Sequence, residues 1–173
     1  MNDPGIEILV TERMLIRPLS PVQLQTYTEL NDKLETEFGL NPSGRIISAA
    51  LKEALELVII PHVATSANYL YSTLWTMIDK ELKQMVGDLC FKGSPNDIGE
   101  IEIGYGTYEG FQGRGYMTEA IGAIAGWAFC QPGVRSIIAE TEKDNVSSHR
   151  TLSKNDFLVY KEAENMLWWR LDK

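Results

Sequence analysis

The stretch that most limits the fold runs from residue 98 to 140, where a strand, a glycine turn, a helix and a second strand follow one another. Residues 98–108, IGEIEIGYGTY, alternate in character. Glu100 and Glu102 share one face, and Ile101, Ile103 and Tyr105 share the other, which is the period of a half-buried strand. FQGRGYMTEA follows at 111–120, with two glycines flanking an arginine just before a helical pattern. The spacing of Ile121, Ile124, Ala125 and Ala128 predicts a helix over 114–130, and Gly122 and Gly126 read as keeping it slim against a sheet. A short strand is expected at 135–140. Strand, helix and strand in such close succession form a parallel, right-handed crossover. The sheet must therefore contain at least one parallel pair.

The flanking segments read as antiparallel strands and further helices. Residues 8–17 predict a first strand, and Pro18 and Pro21 bracket a turn whose Ser20 can cap a helix near 21–32. Residues 41–44 are a loop. A second helix is expected over 45–60, with Ile46, Ala49, Ala50, Ala54, Leu57 and Val58 as its apolar stripe and Pro61 as its end. Residues 70–79 and 83–91 suggest a hairpin across Lys80-Glu81. A helix at 146–155 and strands at 157–161 and 165–171 complete the chain. The class is α+β, with a mixed, mostly antiparallel sheet of about seven strands and about four flanking helices, in one domain over 1–173.

Charge and composition narrow the function. Lys and Arg number 16 against 24 Asp and Glu, a net charge of −8, which argues against nucleic-acid binding. The balance suits a cationic acceptor, although solubility alone also accounts for it. No apolar run reaches membrane-span length and the N-terminus lacks a secretory pattern, so a cytoplasmic protein with no membrane partner is expected. Cys90 and Cys130 form no metal-binding or redox spacing, and with only His62 and His149 beside them no metal site is expected.

Three phosphate-binding patterns test the glycine turn. Gly110 and Gly115 have P-loop spacing, but Tyr116 stands where the lysine is needed. Gly113 and Gly115 begin a dinucleotide fingerprint, but Thr118 replaces its last glycine. The third pattern, Q/R-x-x-G-x-G/A, is met by Gln112-Gly113-Arg114-Gly115-Tyr116-Met117 at all but its last position. With Glu102-Ile-Gly-Tyr105 before it, Thr118-Glu-Ala120 after it, Asn145-Val-Ser-Ser148 and Lys154-Asn-Asp-Phe157 downstream, and TERMLIRPL at the start, the chain resembles the GNAT N-acetyltransferases, in particular the RimJ/RimL-type branch. The resemblance touches both ends and is weakest over about 20–70, where substrate elements lie in that family. Met117 and Asp156 depart from the small residue and the glycine usual at those positions.

The resemblance implies acetyl-CoA as cosubstrate and no metal. Gln112, Gly113, Arg114, Gly115, Tyr116 and Met117 would hold the pyrophosphate, which suits a helix start with unpaired N–H groups and glycines that let the backbone approach an anion. Tyr105, Gly106 and Thr107 would form the edge of a splayed strand that pairs with the pantetheine arm. Gly106 either widens the acyl pocket or marks a backbone bulge. Asn145 is a pantetheine contact or a helix cap, and Ser148 resembles the serine that serves the leaving thiolate in this branch, since the tyrosine common elsewhere is replaced by Leu152. Glu102 is the first candidate base, acting directly or through water, with an ordinary salt-bridged strand glutamate as the alternative and Glu100 in reserve. Neither cysteine falls in this site, which favours direct attack in a ternary complex. The acceptor would be a primary amine, either a small molecule or a protein N-terminus. A non-catalytic acyl-CoA-binding protein is the alternative. Of the adjacent Trp168 and Trp169, one belongs to the core and the other is free to wall the acceptor site or a homodimer contact.

Overall fold

The computed structural model describes residues 7–29, 31–66 and 68–173. Among these residues the strands are β1 (Leu9–Val10), β2 (Met14–Pro18), β3 (Leu74–Asp79), β4 (Gln84–Phe91), β5 (Glu100–Thr107), β6 (Ser136–Glu142), β7 (Leu158–Glu162) and β8 (Met166–Asp172). They form one sheet in the order β1-β2-β3-β4-β5-β6-β8-β7, and only β5 and β6 are parallel. The eighth strand comes from the first predicted one. It divides where Thr11 closes a turn, its N–H donating to the Met14 carbonyl at 2.9 Å and its Oγ1 accepting from the Met14 N–H at 2.9 Å.

The helices are α1 (Pro21–Thr28), α2 (Lys33–Phe38), α3 (Ala49–Ala54), α4 (Ile60–Thr65), α5 (Tyr116–Cys130) and α6 (Val146–Ser153). Ser20 caps α1 in a reciprocal capping box with Gln23. That helix stops at Thr28, short of the expected 32, and α2 is an additional helix closed by Gly39 in the left-handed region at φ 67°. Pro61 does not end the second predicted helix. A π-helical turn over Leu55–Ile59 joins α3 to α4, with the Ile60 N–H donating to the Leu55 carbonyl, five residues back. The wider turn places Pro61 in the first turn of α4, where its missing N–H costs no bond. The extra residue also rotates the helix surface. Leu55 and Val63 are buried, whereas Ile46, Leu57 and Val58 of the expected stripe are exposed.

The two faces of the sheet carry separate cores. Trp75, Met77, Leu89, Phe91, Ile101 and Ile103 pack with Ile121, Ile124, Ala125 and Ala128 of α5. Leu74, Ile78 and Met85 pack with Leu24, Tyr27, Leu55 and Val63 from the early helices. Gly122 and Gly126 face outward rather than toward the sheet, and a Cβ on Gly122 would stand 3.1 Å from the Asn155 side chain. Trp169 enters the larger core, while Trp168 stays partly exposed and donates to the Glu140 carboxylate. Tyr71, from the short run before β3, is also a core residue. No helix among the described residues is long and apolar enough to cross a membrane.

One break in the sheet positions the site. β5 pairs with β6 only over Glu100–Glu102, opposite Ser136–Ile138. On its other side it pairs with β4 over Ile103–Thr107. Beyond Glu102, therefore, the β6-facing edge of β5 has no strand partner among the described residues, and the two strands diverge.

Candidate active site

The divergence opens into two cavities that share Tyr105, Gly106 and Thr107. The first, of about 640 Å³, lies between the glycine turn and α6. Gly113 and Gly115 adopt φ 72° and 79°, a region that only glycine enters without strain, and this conformation presents the start of α5 to the cavity. Gln112, Gly113, Gly115, Tyr116 and Met117 line it, as do Asn145 and Ser148. Arg114 does not: its guanidinium lies over the Phe111 ring, 5.6 Å from the centroid. The cations that do line the cavity are Arg150 and Lys154, whose i, i+4 spacing on the predicted 146–155 helix could have marked them. Met117 and the ring of Tyr116 are largely buried in the core, and the Tyr116 hydroxyl donates to Asp79 at 2.7 Å.

A further arginine, from the opening TERMLIRPL stretch, holds the turn from outside. Arg13, just before β2, donates from Nε to Glu119 Oε2 at 2.7 Å and from Nη1 to the Arg114 carbonyl at 2.9 Å. Its guanidinium also stands 4.7 Å from the centre of the Tyr116 ring. Burial works to raise the Glu119 carboxyl, but hydrogen bonds from Thr11 and Arg13 outweigh it and hold the group below the usual glutamate range.

On α6, the Asn145 side chain accepts the Ser148 N–H at 3.1 Å, so Asn145 is the helix cap and lines the cavity as well. Leu152, where a tyrosine is common in the family, is fully buried in the core. The Tyr105 hydroxyl lies beside α6. It is buried without a hydrogen-bond partner, near Ser148, and burial raises its phenol. Sequence reading assigned Tyr105 only a backbone role. His149 turns away, with Nε2 3.0 Å from the Glu142 carbonyl and its ring 5.3 Å from Trp169.

The second cavity, of about 750 Å³, lies on the other face, beneath Ile46, Leu51 and Tyr27. Asp88 of β4 lies in its wall, opposite Gly106 in register. Its Oδ2 accepts from the Tyr27 hydroxyl at 2.6 Å and from the Tyr108 hydroxyl at 2.6 Å. Burial raises the Asp88 carboxyl, partly offset by these bonds, by the nearby Thr76 hydroxyl and by Arg45. Arg45 is itself buried, paired with Glu35, and donates to the Tyr27 carbonyl at 3.1 Å.

Two residues lie elsewhere than their expected roles place them. Glu102, expected as the base, lines neither cavity: it lies nearer the paired end of β5, where its carboxylate pairs with Lys92. Glu100 is likewise paired with Arg170, at 2.5 Å. Cys90, expected outside the site, lines the second cavity because it shares a strand face with Asp88. Burial, with Asp88 nearby, pushes its thiol up to about 11, so it carries no thiolate at neutral pH. Among the described residues no cluster of three or more His, Cys, Asp or Glu is placed to hold a metal.

Comparison with known proteins agrees with this geometry. Residues 13–158 match the acetyltransferase (GNAT) domain. YjdG of Bacillus subtilis (strain 168), an uncharacterized N-acetyltransferase, is 27% identical over 162 residues, which is 93% of this chain and 96% of YjdG. The ribosomal-protein-S5-alanine acetyltransferase from Vibrio fischeri superposes with a TM-score of 0.71 at 17% identity, over 96% of each chain. RimL, a ribosomal L7/L12 alpha-N-protein acetyltransferase solved in complex with coenzyme A, superposes with a TM-score of 0.68 at 16% identity, over 96% of this chain and 98% of its own. Domain match, sheet break and glycine turn coincide, and the chain belongs to the GNAT acetyltransferase family.

Proposed function

We propose that this protein is an N-acetyltransferase that moves the acetyl group of acetyl-CoA onto a primary amine, by direct attack in a ternary complex. The observation that carries this reading is the unpartnered edge of β5 at Tyr105–Thr107, reached from one face by the glycine-turn cavity and from the other by the cavity that holds Asp88.

The residues of the first cavity fit CoA. The left-handed glycines and the open start of α5 suit a pyrophosphate, and Arg150 and Lys154 add positive charge. The free backbone groups of β5 suit the amides of a pantetheine arm, as a strand suits an added strand. Acetyl-CoA supplies the thioester. A free N–H near Tyr105 stabilises the oxyanion as the amine nitrogen bonds to the carbonyl carbon. The carbon–sulfur bond then breaks, and the thiolate receives a hydrogen bond or proton from Tyr105, with Ser148 beside it. Cys90 keeps its proton and forms no acetyl-enzyme.

Thiol release from acetyl-CoA over a panel of primary amines tests the proposal. Amine-dependent release is the expected result. Tight CoA binding with no amine-dependent release would instead identify an acyl-CoA-binding protein.

A further inference from the structure

The second cavity has a buried carboxyl group in its wall. Asp88 is only 7% exposed, in the middle of β4. A carboxylate buried for structure alone has its oxygens satisfied, because an unpartnered one costs stability. Here both tyrosine hydroxyls go to Oδ2, and Oδ1, itself shielded from solvent, has no hydrogen-bond partner among the described residues. The Thr76 hydroxyl, its register partner on β3, favours the charged form from nearby without closing a hydrogen bond.

The surroundings define what that carboxylate can receive. Among the described residues the charged side chains lining the cavity are Asp88 and Glu109, both acidic. Ile46, Leu51, Leu74 and Leu89 make much of the remaining wall apolar. Such a cavity attracts a cation with an apolar body and repels a carboxylate. Gly106, opposite Asp88, leaves open space: a Cβ built there meets nothing within 4 Å. The charge thus lies one strand away from the β5 edge.

Resting on the acetyl-transfer reading, we propose that Asp88 binds and deprotonates the acceptor, a small primary amine whose arm is apolar and carries no carboxylate. The ammonium's N–H bond breaks, its proton passes to the Asp88 carboxylate, and the freed lone pair attacks the thioester. The nitrogen's second proton leaves as the carbon–sulfur bond breaks and passes by way of Tyr105 to the thiolate, so that CoA departs as the thiol and Tyr105 is left protonated, and Asp88 returns the first proton to solvent. The groups facing Asp88 leave it the proton acceptor. Burial and the Asp88 charge raise Tyr27 and Tyr108 well beyond neutral pH, and Cys90 rises to about 11, so all three stay protonated. Arg45 is committed to Glu35 and Tyr27, and Glu109 adds a second negative charge to the wall.

The test uses the full chain, acetyl-CoA and four acceptors: phenethylamine, phenylalanine, a peptide with a free N-terminus, and trifluoroethylamine, which is largely neutral at pH 7. Phenethylamine is expected to outperform phenylalanine, which has the same ring arm plus a carboxylate, and the peptide. Asp88→Asn, which still accepts from both tyrosines, should lower kcat/KM for phenethylamine about 100-fold at pH 7. It should leave CoA affinity unchanged and spare trifluoroethylamine, and its defect should close as the pH nears the amine's own value of about 10. Tyr108→Phe, which removes one hydrogen bond from the carboxylate, should move the acid limb of kcat/KM upward and covers the case in which the asparagine variant misfolds. Equal loss on both amines at every pH, no loss at all, or preference for phenylalanine or the peptide would overturn the assignment. If no amine releases thiol from the wild type, the acetyl-transfer reading fails first and this one with it. If amines are turned over but Asp88→Asn and Tyr108→Phe change nothing, only this one fails.

Discussion

Replacing Arg13 by methionine keeps the apolar stem and removes three contacts at once. The pair with Glu119 is 40% and 21% exposed on its two sides, so solvent screens it to about 0.5 kcal/mol. The hydrogen bond to the Arg114 carbonyl, also exposed, adds about 1 kcal/mol. The contact with the Tyr116 ring adds about 0.5 kcal/mol. Together these come to about 2 kcal/mol, or roughly 4–8 °C in Tm for a chain of this size. Only the Arg114 bond acts directly on the glycine turn. If it pre-sets the turn for a pyrophosphate, losing its share of about 1 kcal/mol weakens CoA binding about fivefold. Thermal unfolding and calorimetric titration with CoA measure the two effects separately. A lower Tm with unchanged CoA affinity would refute the link between β2 and the phosphate loop.

Other outcomes follow from the same geometry. Gly115→Ala forces a side chain to φ 79°, at a cost of about 1–2 kcal/mol, and should lower Tm and CoA affinity together; unchanged binding would mean that the turn's conformation is not used. Glu102→Gln should keep kcat/KM within about threefold of wild type, because a working base supplies about 100-fold or more; a larger loss would restore Glu102 as the base. Glu119 is held below its ordinary range, so its contribution is full above the unfolded value of about 4.3 and is lost as pH falls through the folded one. The Tm difference between wild type and Glu119→Gln should therefore be constant from neutral pH to about pH 5 and shrink below it, as thermal melts across that range can check.

Local chemistry made much of the fold legible. Alternation along 98–108 and the helical period after it were enough for the parallel crossover, and Ser20 marked the start of α1. The early helices were not legible, because a π turn breaks the period on which the reading depends: Leu57 and Val58 fit a regular helix and point to solvent in the π-interrupted one. At the site, glycines at 113 and 115 and the cap at Asn145 are short-range features that a linear reading can find. Asp88 and Arg13 act through partners 61 and 106 positions away, contacts that a linear reading cannot pair. Glu102 lies in the motif strand, yet its carboxylate pairs with Lys92, just past the end of β4.

The three rungs between β5 and β6 have a mechanical consequence. The molecule is two antiparallel halves, β1 to β5 and β6 to β8, stitched at one end and linked through α5. Three register pairs join β5 to β6, against five for β4–β5 and seven for β6–β8, so this seam is expected to open more readily than its neighbours. Whatever lies along the free edge of β5 supplies the rungs the chain lacks. Occupancy and cohesion then become one quantity, and amide exchange at Ile103–Thr107 should report both.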